Sequence, residues 1–108
     1  MDKLTLSVII PTYNRKDILR ESLTSLFNQT LSSEKYEIIV IDDGSIDETG
    51  DMVKELIPKS PVILKYFRQE NKGPASARNL GILNAQGKII LFIFNSTSEL
   101  FKLLFSSY

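Results

Sequence analysis

Four short apolar segments alternate with segments whose apolar residues recur at helical spacing, and this alternation restricts the fold more than any other feature of the chain. The apolar segments cover residues 4–10, 37–41, 62–67 and 88–94. They are rich in Val, Ile and Leu, as are strands that are buried on both faces of a parallel sheet. The pattern therefore predicts an α/β fold: a three-layer sandwich with a mostly parallel sheet of about four strands and right-handed crossovers.

The segments between the strands carry helix signals. Residues 16–29 have one apolar helical face, and Asp47 is the expected N-cap of a second helix that ends before Pro58. Gly73 and Pro74 open a third helix, because proline loses no hydrogen bond in the first turn. Pro11 is expected to end the first strand.

Charge and residue usage exclude several classes of protein. The 108 residues include 13 basic and 13 acidic side chains, so no net charge attracts nucleic acid or an anionic membrane. The absence of Cys and His excludes disulfides, thiol nucleophiles, imidazole bases and the usual zinc sites. The apolar runs are far shorter than the roughly 20 residues of a membrane span, and no signal peptide is readable. A cytoplasmic location without a transmembrane segment is therefore predicted.

Polar residues collect after the first two strands and before the third helix. The clusters are Pro11, Thr12, Tyr13, Asn14 and Arg15; Asp42, Asp43, Gly44 and Ser45; and Asn71, Lys72, Gly73 and Pro74, followed by Arg78 and Asn79. Ligands of open parallel sheets bind beyond the carboxyl ends of the strands. We therefore expect the clusters to meet at one edge of the sheet.

The loop after the first strand excludes two familiar nucleotide sites. A P-loop requires G-x-x-x-x-G-K-[ST] there, and a dinucleotide-binding domain requires G-x-G-x-x-G. Residues 11–16 contain no glycine. Both alternatives are therefore rejected on the same segment.

Three segments, in this order and spacing, resemble the nucleotide-sugar-binding half of family 2 glycosyltransferases. They read SVIIPTYNR from Ser7, IIVIDDGSIDET from Ile38 and NKGPASARNLGI from Asn71, and the resemblance covers about residues 4–94. Each segment alone is a weak signal, whereas the three together are specific. The resemblance implies the Rossmann-like GT-A fold, a nucleoside diphosphate sugar donor, most often a UDP-sugar, and transfer of its sugar to an acceptor hydroxyl with inversion.

The resemblance also implies roles for the first cluster. Pro11, Thr12 and Tyr13 would line the base pocket, with the Tyr13 ring as a flat apolar wall, and Asn14 is counted with them as nucleotide-binding. The alternative for Tyr13 is that its ring only plugs the turn after the first strand.

For the other two clusters, the resemblance implies that Asp43 accepts a hydrogen bond from the base while Asp42 fixes the loop. Adjacent carboxylates repel, so one role for each is easier to defend than two free anions. Arg78 would meet the diphosphate near the positive end of its helix, with Lys72 as a second phosphate contact. The alternatives are a capped turn for the two aspartates, a solvated surface arginine and a loop lysine.

One family motif is missing. An Asp-x-Asp motif that holds Mg²⁺ or Mn²⁺ normally follows the fourth strand, where this chain has Phe94, Asn95 and Ser96. An amide and a hydroxyl replace carboxylates poorly, so metal binding is expected to be weak or absent. Glu99 is a less favoured ligand, because residues 96–99 also fit a helix capping box.

The family's acceptor site and general base follow this region, so a catalytic base is expected beyond Tyr108. We therefore predict a nucleotide-sugar-binding half in residues 1–95, an apolar helical tail in residues 96–108, and a chain that transfers no sugar by itself. A non-catalytic binding or assembly module with a vestigial pocket is the alternative. An unpaired sheet edge after the fourth strand further predicts a homodimer. The sequence does not identify the sugar or the acceptor, and it leaves open whether a longer parent protein is attached to the inner face of the membrane.

Overall fold

The computed structural model describes residues 4–94, which form one sheet with helices on both faces. In chain order the elements are β1 (Leu6–Thr12), α1 (Lys16–Phe27), β2 (Tyr36–Asp42), α2 (Thr49–Leu56), a 3₁₀ turn (Ile57–Lys59), β3 (Ile63–Arg68), α3 (Pro74–Leu83) and β4 (Ile89–Phe92). All four strands are parallel, in the order β3-β2-β1-β4. The predicted α/β class is confirmed.

Two separate cores explain why the central strands are apolar on both faces. Successive residues of a strand point to opposite faces of the sheet. On one face, Val8 and Val40 pack with Leu23 of α1 and Val53 of α2. On the other face, a smaller core contains Ile9, Ile39, Ile41 and Ala77. Helices α1 and α2 therefore cover one face of the sheet and α3 the other.

The strand order creates a reversal beside β1. The chain proceeds from β1 to β2 and β3 on one side and then returns through α3 to place β4 on the other side of β1. Helix α3 packs closely at this return, since a Cβ on Gly81 would lie 2.5 Å from Ile9 Cγ2. In open α/β sheets, ligands bind at such a reversal, outside the carboxyl ends of the strands.

The prediction that Pro11 ends β1 is wrong, because the strand continues to Thr12. The Ile9 carbonyl accepts from Ile93, whereas the Thr12 carbonyl accepts from Asp43, so alternate residues of β1 direct their backbone groups to β4 and to β2. Pro11 shares the β4 side with Ile9, and pairing with β4 stops at Ile9. Its missing N–H therefore costs no ladder hydrogen bond.

A buried carboxylate ties the amino end of the sheet together. Glu37 is fully buried; it accepts from Ser7 Oγ at 2.6 Å and from the Gln86 amide at 2.7 Å, and it pairs with Lys65 Nζ at 2.8 Å. Ser7 Oγ in turn accepts from the Gly87 amide at 2.8 Å. Burial opposes the charged form, but the hydrogen bonds and Lys65 outweigh it and lower the pKa of Glu37. This network fixes the α3–β4 loop far from the polar clusters.

The helices in residues 4–94 do not combine the length and the apolar content that crossing a bilayer requires. The longest of them, α1, has 12 residues, against roughly 20 for a membrane span. The predicted tail of residues 96–108 lies outside the described residues.

Candidate functional site

An open cleft of about 370 Å³ lies at the carboxyl ends of β1 and β2, beside the reversal between β1 and β4. Its volume falls within the roughly 300–1,000 Å³ that ligand pockets occupy. It is lined by Pro11, Thr12, Tyr13, Arg15, Asp43, Asn71, Gly73, Pro74, Ala77 and Phe94. All three polar clusters of the sequence therefore contribute to this one cleft.

Tyr13 forms an accessible wall of the cleft, with 42% of its surface exposed. The next residue, Asn14, has a positive φ of 50° and turns toward the loop after β2. Its amide donates to Ser45 Oγ at 2.8 Å, and its Oδ1 accepts from the Ile46 amide at 2.8 Å. Asn14 therefore joins two loops and does not line the cleft.

Asp42 is fully buried and is bonded to groups of the protein. It accepts from Tyr66 Oη at 2.6 Å and from the Ser45 amide at 2.8 Å, and Arg68 Nη1 lies 3.5 Å from its Oδ2. Burial, followed by the bond to Asp42, raises the pKa of Tyr66 to about 12. Asp42 therefore holds the loop after β2 through bonds inside the protein.

Asp43 lines the cleft and is held by the segment that follows β3. Its Oδ1 accepts from Gln69 Nε2 at 2.8 Å and from the Lys72 amide at 2.7 Å, and its Oδ2 accepts from the Gly73 amide at 3.1 Å. Burial opposes ionisation, but these three donors outweigh it and lower the pKa of Asp43. An ionised hydrogen-bond acceptor is thus fixed in the wall of the cleft.

Two glycines allow the second and third loops to meet. Gly44 has a φ of 85°, and a Cβ there would lie 3.0 Å from the Asn71 amide nitrogen. Gly73 has a φ of 94° at the start of α3, a value that glycine adopts without steric cost. The backbone around Asp43 therefore depends on glycine at both positions.

The two predicted phosphate contacts lie outside the cleft wall. Lys72 bonds Asp43 through its backbone amide, and the residue is exposed. The guanidinium of Arg78 lies over the Phe92 ring, 6.0 Å from its centroid. Phe92 in turn stacks with Phe94 at 6.1 Å, and Phe94 lines the cleft. Arg78 is therefore not among the residues that line the cleft, and it connects to the cleft wall through Phe92 and Phe94.

The predicted set of site residues lacks several groups that form the site. Arg15 is the one cationic side chain among the described residues that line the cleft, and Asn71 and Phe94 also line it. Gln69 contacts Asp43 directly. Arg15 and Asn71 belong to the polar clusters that the sequence shows. Gln69 belongs to no motif, and only the pairing of β2 with β3 brings it to Asp43.

The described part of the cleft does not suit a divalent cation. Asp43 is the one carboxylate among the lining residues in positions 4–94, and its oxygens already accept three hydrogen bonds. Mg²⁺ and Mn²⁺ require several oxygen ligands. No group of three or more acidic side chains that could hold a metal occurs within the described part of the chain. Asn95 and Ser96, at the place of the family's Asp-x-Asp motif, lie outside it.

Known proteins similar in sequence to this chain include several glycosyltransferases. An uncharacterized glycosyltransferase from Rickettsia bellii is 46% identical over 87 residues, which are 81% of this chain and 12% of that protein. A poly(ribitol-phosphate) beta-glucosyltransferase from Bacillus spizizenii is 40% identical over 83% of this chain and 14% of its own length. The chain thus spans about one seventh or less of these two relatives.

Solved structures share the fold. S. aureus TarS 1-349 in complex with UDP-GlcNAc superposes with a TM-score of 0.79 at 31% identity, covering 94% of this chain and 30% of that TarS fragment. A mannosyltransferase from Pyrobaculum calidifontis, in complex with GDP-Man and Mn²⁺, gives a TM-score of 0.81 at 27% identity, covering 87% of this chain and 28% of its own. These neighbours confirm the GT-A fold that the sequence motifs implied. Residues 7–93 match the family model for glycosyl transferase family 2, and the chain belongs to that family.

Proposed function

We propose that this chain forms the donor-binding part of a glycosyltransferase and holds the nucleotide of a UDP-sugar in the cleft at the carboxyl edge of the sheet. The sugar would pass to an acceptor hydroxyl with inversion. The observation that carries the proposal is the arrangement of Asp43 and Tyr13: an ionised carboxylate, fixed by two backbone amides, shares one cleft with an exposed aromatic ring. Together they offer an acceptor and a stacking face.

The base would stack against Tyr13 while Asp43 accepts a hydrogen bond from its ring N–H. A base stacked on an aromatic side chain gains roughly 1–3 kcal/mol. The carboxylate adds a charge-assisted hydrogen bond, which is stronger than a neutral one. Pro11 and Thr12 would complete the wall of this pocket, while Asn14 and Asp42 would hold its loops in place through the bonds described above.

The diphosphate would lie between Arg15 and the amino end of α3. Arg15 lines the cleft, and Gly73 and Pro74 bring the positive end of the helix dipole to its wall. Arg78 and the exposed Lys72 would add positive charge from the rim. We propose Arg15 as the main side-chain contact, because Arg78 lies over Phe92 and outside the wall.

The relatives support uracil as the base. S. aureus TarS was solved in complex with UDP and with UDP-GlcNAc, at 33% and 31% identity to this chain. The Pyrobaculum mannosyltransferase, at 27% identity, holds GDP-Man and Mn²⁺. The more similar of these structures thus carry uracil nucleotides.

We further propose that this chain binds the donor but transfers no sugar by itself. A general base needs a pKa near the working pH. Asp43 is the one carboxylate of the cleft wall within residues 4–94, and its pKa is lowered, so it takes up a proton poorly at neutral pH. The base for the acceptor hydroxyl would therefore come from outside the described residues.

Titration of the full chain with UDP tests the proposal. We expect amide shifts for Tyr13, Arg15 and Asp43 in a ¹⁵N–¹H spectrum, and a melting temperature that rises with UDP concentration. Inorganic pyrophosphate is the control for simple anion binding and should move Tyr13 little. If UDP leaves both the spectrum and the melting temperature unchanged, the nucleotide proposal is wrong and the vestigial pocket is the better description.

A further inference from the structure

Gln69, which directly follows β3, is anchored at three points around the cleft carboxylate. Its amide donates to the Asp42 carbonyl at 2.9 Å, its side-chain Nε2 donates to Asp43 Oδ1 at 2.8 Å, and its Oε1 accepts from Ser76 Oγ at 3.2 Å. A carboxylate accepts but does not donate, so the NH₂ end of Gln69 must face Asp43. Ser76 at the other end is compatible with this orientation, because its hydroxyl can donate to Oε1.

These contacts determine how many further hydrogen bonds Asp43 can accept. A carboxylate has about four lone-pair positions, two on each oxygen. Oδ1 accepts from Gln69 and from the Lys72 amide, and Oδ2 accepts from the Gly73 amide. Among the described residues these three donors are the partners of Asp43. One lone-pair position, on Oδ2, is left for a ligand.

We propose that Gln69 is a specificity-determining residue that limits Asp43 to one hydrogen bond from the base and so selects uracil over guanine. The inference rests on the proposed function, because it assumes that a nucleotide base meets Asp43. Uracil presents one ring N–H between two carbonyl groups. Guanine presents a ring N–H next to an NH₂ group, and this pair of donors requires both oxygens of a carboxylate.

Guanine would therefore leave a donor unpaired in this cleft. The position on Oδ1 that its NH₂ group requires is taken by Gln69 Nε2, itself a donor. An unpaired, desolvated donor weakens binding by about tenfold to a hundredfold. We expect the wild-type chain to prefer UDP over GDP by a factor in this range.

The substitution Gln69→Leu tests the role directly. Leucine removes the amide donor and keeps a comparable size, which frees the second position on Oδ1. The ratio of the GDP to the UDP dissociation constant, measured by calorimetry on the full chain, should fall at least fivefold, mainly because GDP binds more tightly. Gln86→Leu is the matched control: Gln86 is exposed at the opposite end of the sheet, and only its backbone amide bonds Glu37. Its ratio should equal that of the wild type.

The outcomes separate the two proposals. A wild-type chain that binds neither nucleotide defeats the proposed function itself. A wild-type chain that binds UDP, together with a Gln69→Leu variant of unchanged nucleotide ratio, overturns the role of Gln69 alone. If Gln69→Leu does not fold by circular dichroism, Gln69→Asn replaces it, because the shorter amide withdraws from Asp43 while staying polar. The same fall in the ratio is then required.

Discussion

Asp42 and Asp43 are adjacent and chemically identical, yet the structure gives them different environments. Asp42 is the last residue of β2 and accepts from Tyr66 and the Ser45 amide inside the protein. Asp43 leaves the strand and enters the wall of the cleft, held by Gln69 and two backbone amides. The end of the strand thus separates a carboxylate that supports a loop from one that can meet a ligand.

Tyr13 provides a prediction at this scale. Tyr13→Ala should weaken UDP binding by roughly 1–3 kcal/mol, about 5- to 150-fold, because the stacking face is lost. The melting temperature without nucleotide should barely change, since Tyr13 lies in a loop and is 42% exposed. Calorimetry with UDP and thermal melting of the same samples measure both effects.

The control for this variant is Tyr13→Phe, which keeps the ring and should retain UDP binding. Equal affinities for Tyr13→Ala and the wild type would show that the ring only fills the turn after β1, the alternative that the sequence left open.

Sequence motifs predict the position of Asp43 and Tyr13 but not the contacts of Gln69 and Arg78. Asp43 and Tyr13 follow strands, so the fold class alone brings them to one edge. Gln69 reaches Asp43 because β3 pairs with β2 in a register that matches Arg68 with Asp42, and no local pattern encodes that register. The guanidinium of Arg78 contacts Phe92, which belongs to β4, a strand that follows α3 in the sequence. The direction of the Arg78 side chain could therefore not be predicted from the pattern of its own helix.

At the scale of elements, strand identities were predictable and strand ends were not. The four apolar runs became the four strands, but β1 extends through Pro11 to Thr12 and β4 is limited to Ile89–Phe92. Asp47, the predicted cap of α2, lies two residues before Thr49, the first residue of the helix, and accepts from the Thr49 amide at 3.0 Å, while Glu48 occupies the N-cap position. Such shifts arise because partner strands, and not local preference, decide where pairing stops.

The ion pair at the amino end of the sheet gives the next prediction. Lys65→Met should lower the free energy of unfolding by about 2 kcal/mol at pH 7, because it leaves the carboxylate of Glu37 buried without its cation. Breaking a fully buried pair costs about 3–5 kcal/mol, and we expect less here because the Lys65 side chain is 27% exposed. Urea denaturation of both proteins measures the difference.

The same difference should depend on pH. The pKa of Glu37 is lowered in the folded protein from its ordinary value of 4.5, so its charged form stabilises the fold above pH 4.5 and this stability is lost as the pH falls through the lowered value. The gap between wild type and Lys65→Met should therefore narrow below pH 4.5. Lys59→Met, which removes a lysine 69% exposed and 4.0 Å from Glu55, is the control and should change stability by less than about 0.5 kcal/mol at any pH. A gap that widens in acid would contradict this account.

At the scale of the whole molecule, the two outer strands pair with a neighbour on one side, whereas the two inner strands pair on both sides within residues 4–94. Within residues 4–94, β4 pairs with β1 on one side, and β3 pairs with β2. Their first residues, Ile89 and Ile63, are 58% and 51% exposed. Unpaired strand edges with exposed apolar side chains favour association with another chain.

We therefore predict that the chain self-associates through the edge of β4 that is unpaired within residues 4–94. Light scattering at increasing concentration should show dimers, and Ile89→Lys should shift the equilibrium toward monomer by at least tenfold, because a lysine on an edge strand opposes pairing. Ile63→Lys is the matched substitution on the other edge and should leave the dimer intact. A wild-type chain that is monomeric at every concentration would remove the prediction, and loss of the dimer only in Ile63→Lys would move the interface to β3.

The bonds that Asn14 makes to Ser45 and Ile46 have a kinetic consequence. They join the loops after β1 and β2 through contacts within the protein itself, so neither loop has to become ordered when a nucleotide arrives. Diffusional encounter, and not a rearrangement of the polypeptide, should then limit the rate of association. In stopped-flow mixing, the observed rate constant should rise linearly with nucleotide concentration and reach no plateau.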